Sequence, residues 1–387
     1  MIKKLSCLLA LLILISSLSA CSNQKQETQT TKAVPKVITT PISSTSGTST
    51  GDSKTDANNK SPDLNGSQLL TKQIPAPSLM NNIIGEPTNQ EIDIYLPASY
   101  FTENKYYPVF YFLPGFGDTS SYYGTVFKDE MDNLLKNSKV KDMIIVSVNG
   151  QNKLTGSFYV NSPVTGNWED FVVKDVVSYV DSNYRTIKKS SARGISGHSM
   201  GGFGTINIAM RHPEVFSCAY ALSPGLFDKS GLSESDIIIN ESYLDMIKAS
   251  ESSGEFIGDF TNAYGAAFSP NANGKIPYIN YPYKLIKNKL IKDTTVLKAW
   301  ENGFGGLEGK VIKYKSNLKK LHALTIEYGT NDEYTWIPKG CEYFSSLLKS
   351  QKIKHTLVSF DGDHQGHVVE RIREQVLPFF SNNLSFN

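Results

Sequence analysis

Residues 192–216 read ARGISGHSMGGFGTINIAMRHPEVF, and they place Ser199 between Gly197 and Gly201 in the pattern G-x-S-x-G. On one side "RGISG" is a short apolar run that predicts a buried strand. On the other, "MGGFGTINIAMRHP" predicts a helix stopped by Pro213. A strand that turns directly into a helix makes a sharp elbow. The two glycines leave room where side chains would collide, and the serine hydroxyl projects from the strand end. The five-residue pattern alone arises by chance in long chains. Its place between strand and helix makes it a nucleophile site rather than a glycine-rich turn.

The sequence around this elbow repeats the same alternation. EIDIYLP (91–97), YPVFYFLP (107–114), MIIVSVNG (143–150), CAYALSP (218–224), ALTIEYG (323–329) and HTLVSFDG (355–362) are short β-branched or aromatic runs. WEDFVVKDVVSYVDSNY (168–184) has apolar residues three and four apart and predicts a helix, as does the closing VVERIREQVLPFFSNNL (368–384). The expected class is α/β, with a mostly parallel central sheet flanked by helices. Between β-like runs, the stretch 225–318 is far longer than one crossover helix needs and predicts a cap or lid insertion. Its Tyr243, Tyr264, Phe268, Tyr278, Tyr281, Tyr283 and Trp300 fit either an apolar wall over a pocket or the core of a subdomain.

A serine hydroxyl needs a histidine to take its proton and a carboxylate to orient that histidine. In strand–elbow–helix enzymes the chain order is serine, acid, histidine. LTIEYGTNDEYTW (324–336) offers Asp332 after a strand and a glycine turn, with Glu333 the neighbouring alternative and Glu327 inside the strand. SFDGDHQGHVV (359–369) offers His364, ahead of the closing helix, and His367 at its start; His364 is the expected base. An oxyanion would be met by two backbone N–H groups, those of Met200 and of Phe116 in YFLPGFGD (111–118). Gly115, Tyr159, Trp168, His198 and His367 are expected around the substrate. Asp361, Asp363, His364 and His367 lack the further ligands of a metal centre, so neither metal nor cofactor is expected.

The chain's 387 residues, 40% hydrophobic and 20% charged, suit one large α/β domain, and a formal net charge of +2 gives no footprint for nucleic acid. MIKKLSCLLALLILISSLSACSNQ opens with two lysines, an apolar run and small residues, the layout of an export signal. The run from Leu5 to Ala20 is shorter than the roughly 20 residues of a membrane span. Leu18, Ser19, Ala20 and Cys21 resemble the lipobox of bacterial lipoproteins. That resemblance implies lipidation at Cys21 and anchoring to the outer face of the cell membrane. The expected organisation is therefore a lipoprotein signal over 1–21, a disordered Ser/Thr-rich tether over 22–75 and a catalytic domain over 76–387. Outside the export segment, Cys218 and Cys341 sit in apolar stretches and read as buried free thiols.

From Glu91 to Phe380 the chain resembles the esterase D-like branch of the α/β-hydrolases, which includes feruloyl and acetylxylan esterases, S-formylglutathione hydrolase and mycolyltransferases. YFLPGFGD, NWEDFVVKDVVSYVDSNYR, RGISGHSMGGFG, YGTND and GDHQGHVVERIREQVLPFF carry the likeness. It implies Ser199 as nucleophile, Asp332 as acid and His364 as base. Two positions depart from the common pattern: Pro114-Gly115 stands where many members have His-Gly, and Gly366 where many have tryptophan. The resemblance implies a serine carboxylesterase acting through an acyl-enzyme on acylated polysaccharides or small phenolic esters. The alternatives are acyl transfer of the mycolyltransferase type and a non-catalytic glycan-binding surface lipoprotein.

Overall fold

The computed structural model describes residues 66–235, 237, 260–287 and 289–387. The export signal, Cys21 and most of the tether lie outside the described residues. Strands β1 (Gln68–Pro75), β2 (Asn89–Leu96) and β3 (Val109–Leu113) come first, followed by helix α1 (Ser120–Lys136) and β4 (Ile144–Val148). Helix α2 begins at Trp168, widens into π-helical turns over Phe171–Val176 and ends at Asn183. Then come β5 (Arg193–His198), α3 (Met200–Arg211) and β6 (Cys218–Leu222). In the long insertion lie α4 (Phe260–Phe268) and α5 (Thr294–Phe304). The chain finishes with β7 (Ala323–Gly329), α6 (Trp336–Ser350), β8 (Thr356–Phe360) and α7, which starts at Val368 and ends at Asn383.

The eight strands form one sheet in the order β1-β2-β4-β3-β5-β6-β7-β8, parallel from β4 through β8 and antiparallel at β1-β2 and β2-β4. The central strands VFYFL and IIVSV are buried on both faces, as continuous apolar runs in a parallel sheet must be. On one face Phe110 stacks on Phe380 of α7 at 4.3 Å, and Phe112 meets Phe127 of α1 edge-on at 5.0 Å. On the other, Val109, Tyr111 and Leu113 pack among residues of α2 and α3. Each fully buried phenylalanine contributes about 2 kcal/mol of transfer free energy.

The expectation that the tether extends to residue 75 is corrected. Gln68–Pro75 pairs antiparallel with β2, in register from Gln68 opposite Leu96 to Pro75 opposite Asn89. As an edge strand it keeps one side toward water and carries polar residues there, so its composition looks like linker, although Ile74 is fully buried.

Strand order reverses between β3 and β5: the chain goes from β3 outward to β4 and returns to β5 on the other side. Ligands of open α/β sheets bind at the carboxyl ends of strands beside such a reversal. The insertion hangs from that same edge, after β6. Within it, the Tyr264 hydroxyl donates to the Trp300 carbonyl at 2.8 Å and accepts the Phe304 N–H at 2.9 Å, while the Trp300 indole donates to the Asn280 carbonyl at 2.9 Å. Tyr264, Tyr281 and Trp300 are thus the core of the insertion, one of the two readings the sequence left open. Tyr243 lies outside the described residues.

Candidate active site

Ser199 sits at the turn from β5 into α3 with φ 56° and ψ −113°, a conformation few non-glycine residues adopt. Its own N–H donates to the Leu222 carbonyl at 3.0 Å, and its carbonyl accepts the Gly225 N–H at 3.2 Å. Neighbouring main chain therefore holds the strained turn. A Cβ at Gly201 would land on the Leu113 carbonyl oxygen, and one at Gly197 on the carbonyl of Gly201. Both glycines are thus sterically required, and α3 starts hard against the end of β3.

The ends of β7 and β8 bring two more side chains to this edge. Asp332 follows β7, and His364 lies in the loop between β8 and α7. His364 Nδ1 lies 2.7 Å from Asp332 Oδ2, and its Nε2 lies 2.9 Å from Ser199 Oγ. A carboxylate only accepts, so Nδ1 carries the proton and Nε2 is free to accept from the serine hydroxyl. Asp332 and His364 are 4% and 3% exposed, so the pair acts in a dry environment where such bonds are strong. Asp332 Oδ1 also accepts the Tyr334 N–H at 2.9 Å, which fixes the carboxylate's rotation. Glu333, the alternative acid, instead accepts the backbone N–H of His364 at 3.1 Å through Oε2.

Ser199 and His364 open into a pocket of about 300 Å³ that Phe116 and Met200 also line. Among the described residues, neither the Phe116 nor the Met200 N–H donates to a protein acceptor. Met200 is the first residue of α3, so its N–H also carries the helix's positive end. Four more aromatic rings, Phe260, Phe304, Tyr334 and Trp336, stand in the wall beside Ile237, Thr261, Ile337 and Gln365. Phe260, from the insertion, meets Phe116 edge-on at 4.9 Å; Phe304 stacks on Trp336 at 5.8 Å; and the Tyr334 ring stands edge-on to His364 at 5.0 Å. Phe260, Phe304, Tyr334 and Trp336 were not among the sequence candidates. Phe260 repeats at helical spacing with Tyr264 and Phe268, but which of the three would face the pocket depends on how α4 packs.

The five residues expected around the substrate lie outside the pocket lining. Tyr159 is fully buried, and its hydroxyl donates to the Pro114 carbonyl at 3.0 Å, so it props up the loop after β3 from beneath. Trp168 is also fully buried, with its indole donating to the Thr165 carbonyl at 2.8 Å. His367 turns aside at the start of α7 and pairs with Glu370 at 2.9 Å. Gly115 is a buried member of that loop, where a Cβ would come 2.7 Å from Asp118 Oδ2. His198 is fully buried behind the triad, and burial lowers its imidazole pKa to about 3. None of the five lines the pocket. Cys218 and Cys341 are buried free thiols.

The fold, a mostly parallel sheet with a strand–elbow–helix turn at its centre, is that of the α/β-hydrolases. A family model described as putative esterase matches residues 86–257. The chain is 31% identical over 147 residues to an endo-1,4-beta-xylanase/feruloyl esterase of Xylanibacter ruminicola, a match covering 36% of this chain and 20% of that protein. It is 29% identical over 136 residues to an esterase of Mycobacterium tuberculosis, covering 34% of this chain and 28% of the other. The chain thus spans less than a third of the length of either relative. Among solved structures, a ferulic acid esterase superposes with a TM-score of 0.57 at 21% identity, over 82% of this chain and 99% of that one. An S-formylglutathione hydrolase from Agrobacterium tumefaciens gives 0.51 at 15%, over 83% and 97%. The chain is thus similar in sequence to esterases over part of its length, and its fold is shared with solved esterases.

Proposed function

We propose that this chain is a serine carboxylesterase with Ser199 as nucleophile, His364 as base and Asp332 as its orienting acid. The observation that carries the reading is the unbroken hydrogen-bond line from Asp332 through His364 to Ser199, ending at an aromatic-walled pocket. Ser199 Oγ attacks the ester carbonyl while His364 Nε2 takes the hydroxyl proton, and Asp332 stabilises the imidazolium. The Phe116 and Met200 N–H groups meet the oxyanion. Collapse expels the alcohol, which takes the proton from His364. Water, deprotonated by the same histidine, then releases the acid and restores the serine.

Two features support a phenolic or polysaccharide ester as substrate: the aromatic wall of the pocket, and the relatives named for feruloyl esters. The deciding experiment is hydrolysis of p-nitrophenyl acetate by the full chain and by Ser199→Ala, extended to acetyl-xylan and methyl ferulate. Ser199→Ala is expected to lower kcat by about 10⁶-fold, as loss of the nucleophile does in other serine hydrolases. Equal activity in the two proteins overturns the assignment.

On the strength of the Met1–Ala20 export pattern and Cys21, we also propose that the enzyme works from the outer membrane face. Cys21→Ser should move it from the membrane fraction to the medium; a full chain that stays in the cytoplasm refutes this.

A further inference from the structure

His198 immediately precedes the nucleophile, yet its ring points away from the pocket and into the protein. Its Nε2 lies 2.9 Å from the main-chain carbonyl of His364, and the two imidazole rings are 4.8 Å apart. A carbonyl only accepts, so Nε2 is the protonated nitrogen and donates. Burial keeps the ring neutral throughout the pH range in which an esterase works, so this donor is always present. Two adjacent residues thus hold one partner at both ends: Ser199 Oγ meets the side chain of His364 and His198 Nε2 its backbone. Through the 198–199 peptide bond they close a ring that fixes both the position and the tilt of the imidazole.

Besides Asp332 on the ring itself, two further contacts reach the main chain of the base loop. The Asn331 N–H donates to the Gly362 carbonyl at 2.9 Å, two residues before His364, and Glu333, which holds the His364 N–H, is exposed. His198 is the fully buried side chain that reaches His364 itself from the nucleophile's own strand. Its Nδ1, beside Gly115, has no hydrogen-bond partner among the described residues. Burying an unpaired acceptor costs about 1–3 kcal/mol, a cost that an apolar side chain in this place would avoid. A histidine here is explained by its donor, not by its packing.

We propose that His198 is a positioning residue for catalysis, holding the His364 carbonyl so that the base stays aligned on Ser199 Oγ. This rests on the reading of Ser199 and His364 as nucleophile and base.

The test compares full-length wild type, His198→Leu, His198→Gln and Ser199→Ala. Leucine fills the space without a donor; glutamine places an N–H near the position of Nε2. His198→Leu is expected to lower kcat by about 10²-fold with little change in KM, the size of effect that follows misplacement by about 1 Å. His198→Gln should recover most of that loss. The downfield proton resonance of His364 Nδ1–H should broaden in the leucine variant and sharpen again in the glutamine variant. A leucine variant within about twofold of wild type overturns the proposal, as does a folded glutamine variant no better than leucine. If His198→Leu does not fold, His198→Gln against His198→Asn, whose amide is too short to reach, replaces it, and equal kcat in those two overturns the proposal. Should Ser199→Ala itself remain active, it is the triad reading that fails, and the two failures are distinguishable.

Discussion

The two walls of the pocket are built on different principles. On the sheet side, Ser199, Asp332 and His364 stand at the ends of three parallel strands, each fixed by main-chain bonds such as Ser199 N–H to Leu222 and Asp332 Oδ1 to Tyr334 N–H. On the insertion side, Phe260 and Phe304 are held by ring packing against Phe158, Tyr264 and one another, with one buried hydroxyl, that of Tyr264, tying the end of α5. Hydrogen bonds impose geometry to a fraction of an ångström. Apolar packing imposes volume and tolerates changes of shape. On the proposed function, chemistry falls to the rigid wall and selectivity to the adaptable one.

This division has measurable consequences. On the sheet wall, Asp332→Asn keeps the shape but leaves the imidazole without the carboxylate that sets its tautomer, and kcat should fall by about 10⁴-fold. A loss under tenfold would mean that another group, Glu333 being nearest, takes over. On the insertion wall, Phe260→Ala should raise KM for methyl ferulate about tenfold, equivalent to about 1.4 kcal/mol, and leave kcat for p-nitrophenyl acetate within about threefold. If instead kcat for the small ester collapses, the insertion also shapes the chemistry and the division fails.

The same division explains what could be read from the sequence. The elbow is legible because steric demands on Gly197 and Gly201 leave a pattern of residue types, and because Asp332 and His364 must follow in order after strands. The inner strands are legible as unbroken apolar runs. β1 is not, because a half-exposed edge strand shares its composition with a linker. Tyr159 and Trp168 look like ligand contacts in one dimension; in three, the main chain takes the hydroxyl of one and the indole N–H of the other, and both become supports. Conversely Phe260 and Phe304 gain their place only from how α4 and α5 pack, information spread over the whole insertion.

The backbone at Ser199 carries one further implication. A non-glycine residue in such a conformation costs on the order of 1–3 kcal/mol, and the surrounding strands must over-determine the turn to hold it. The proposed nucleophile is therefore a point of local frustration: a glycine there would suit the fold better than the serine does. Stability and catalysis make opposite demands on this single residue, so a variant enriched purely for thermal endurance would be expected to lose its hydroxyl before it lost any part of its core.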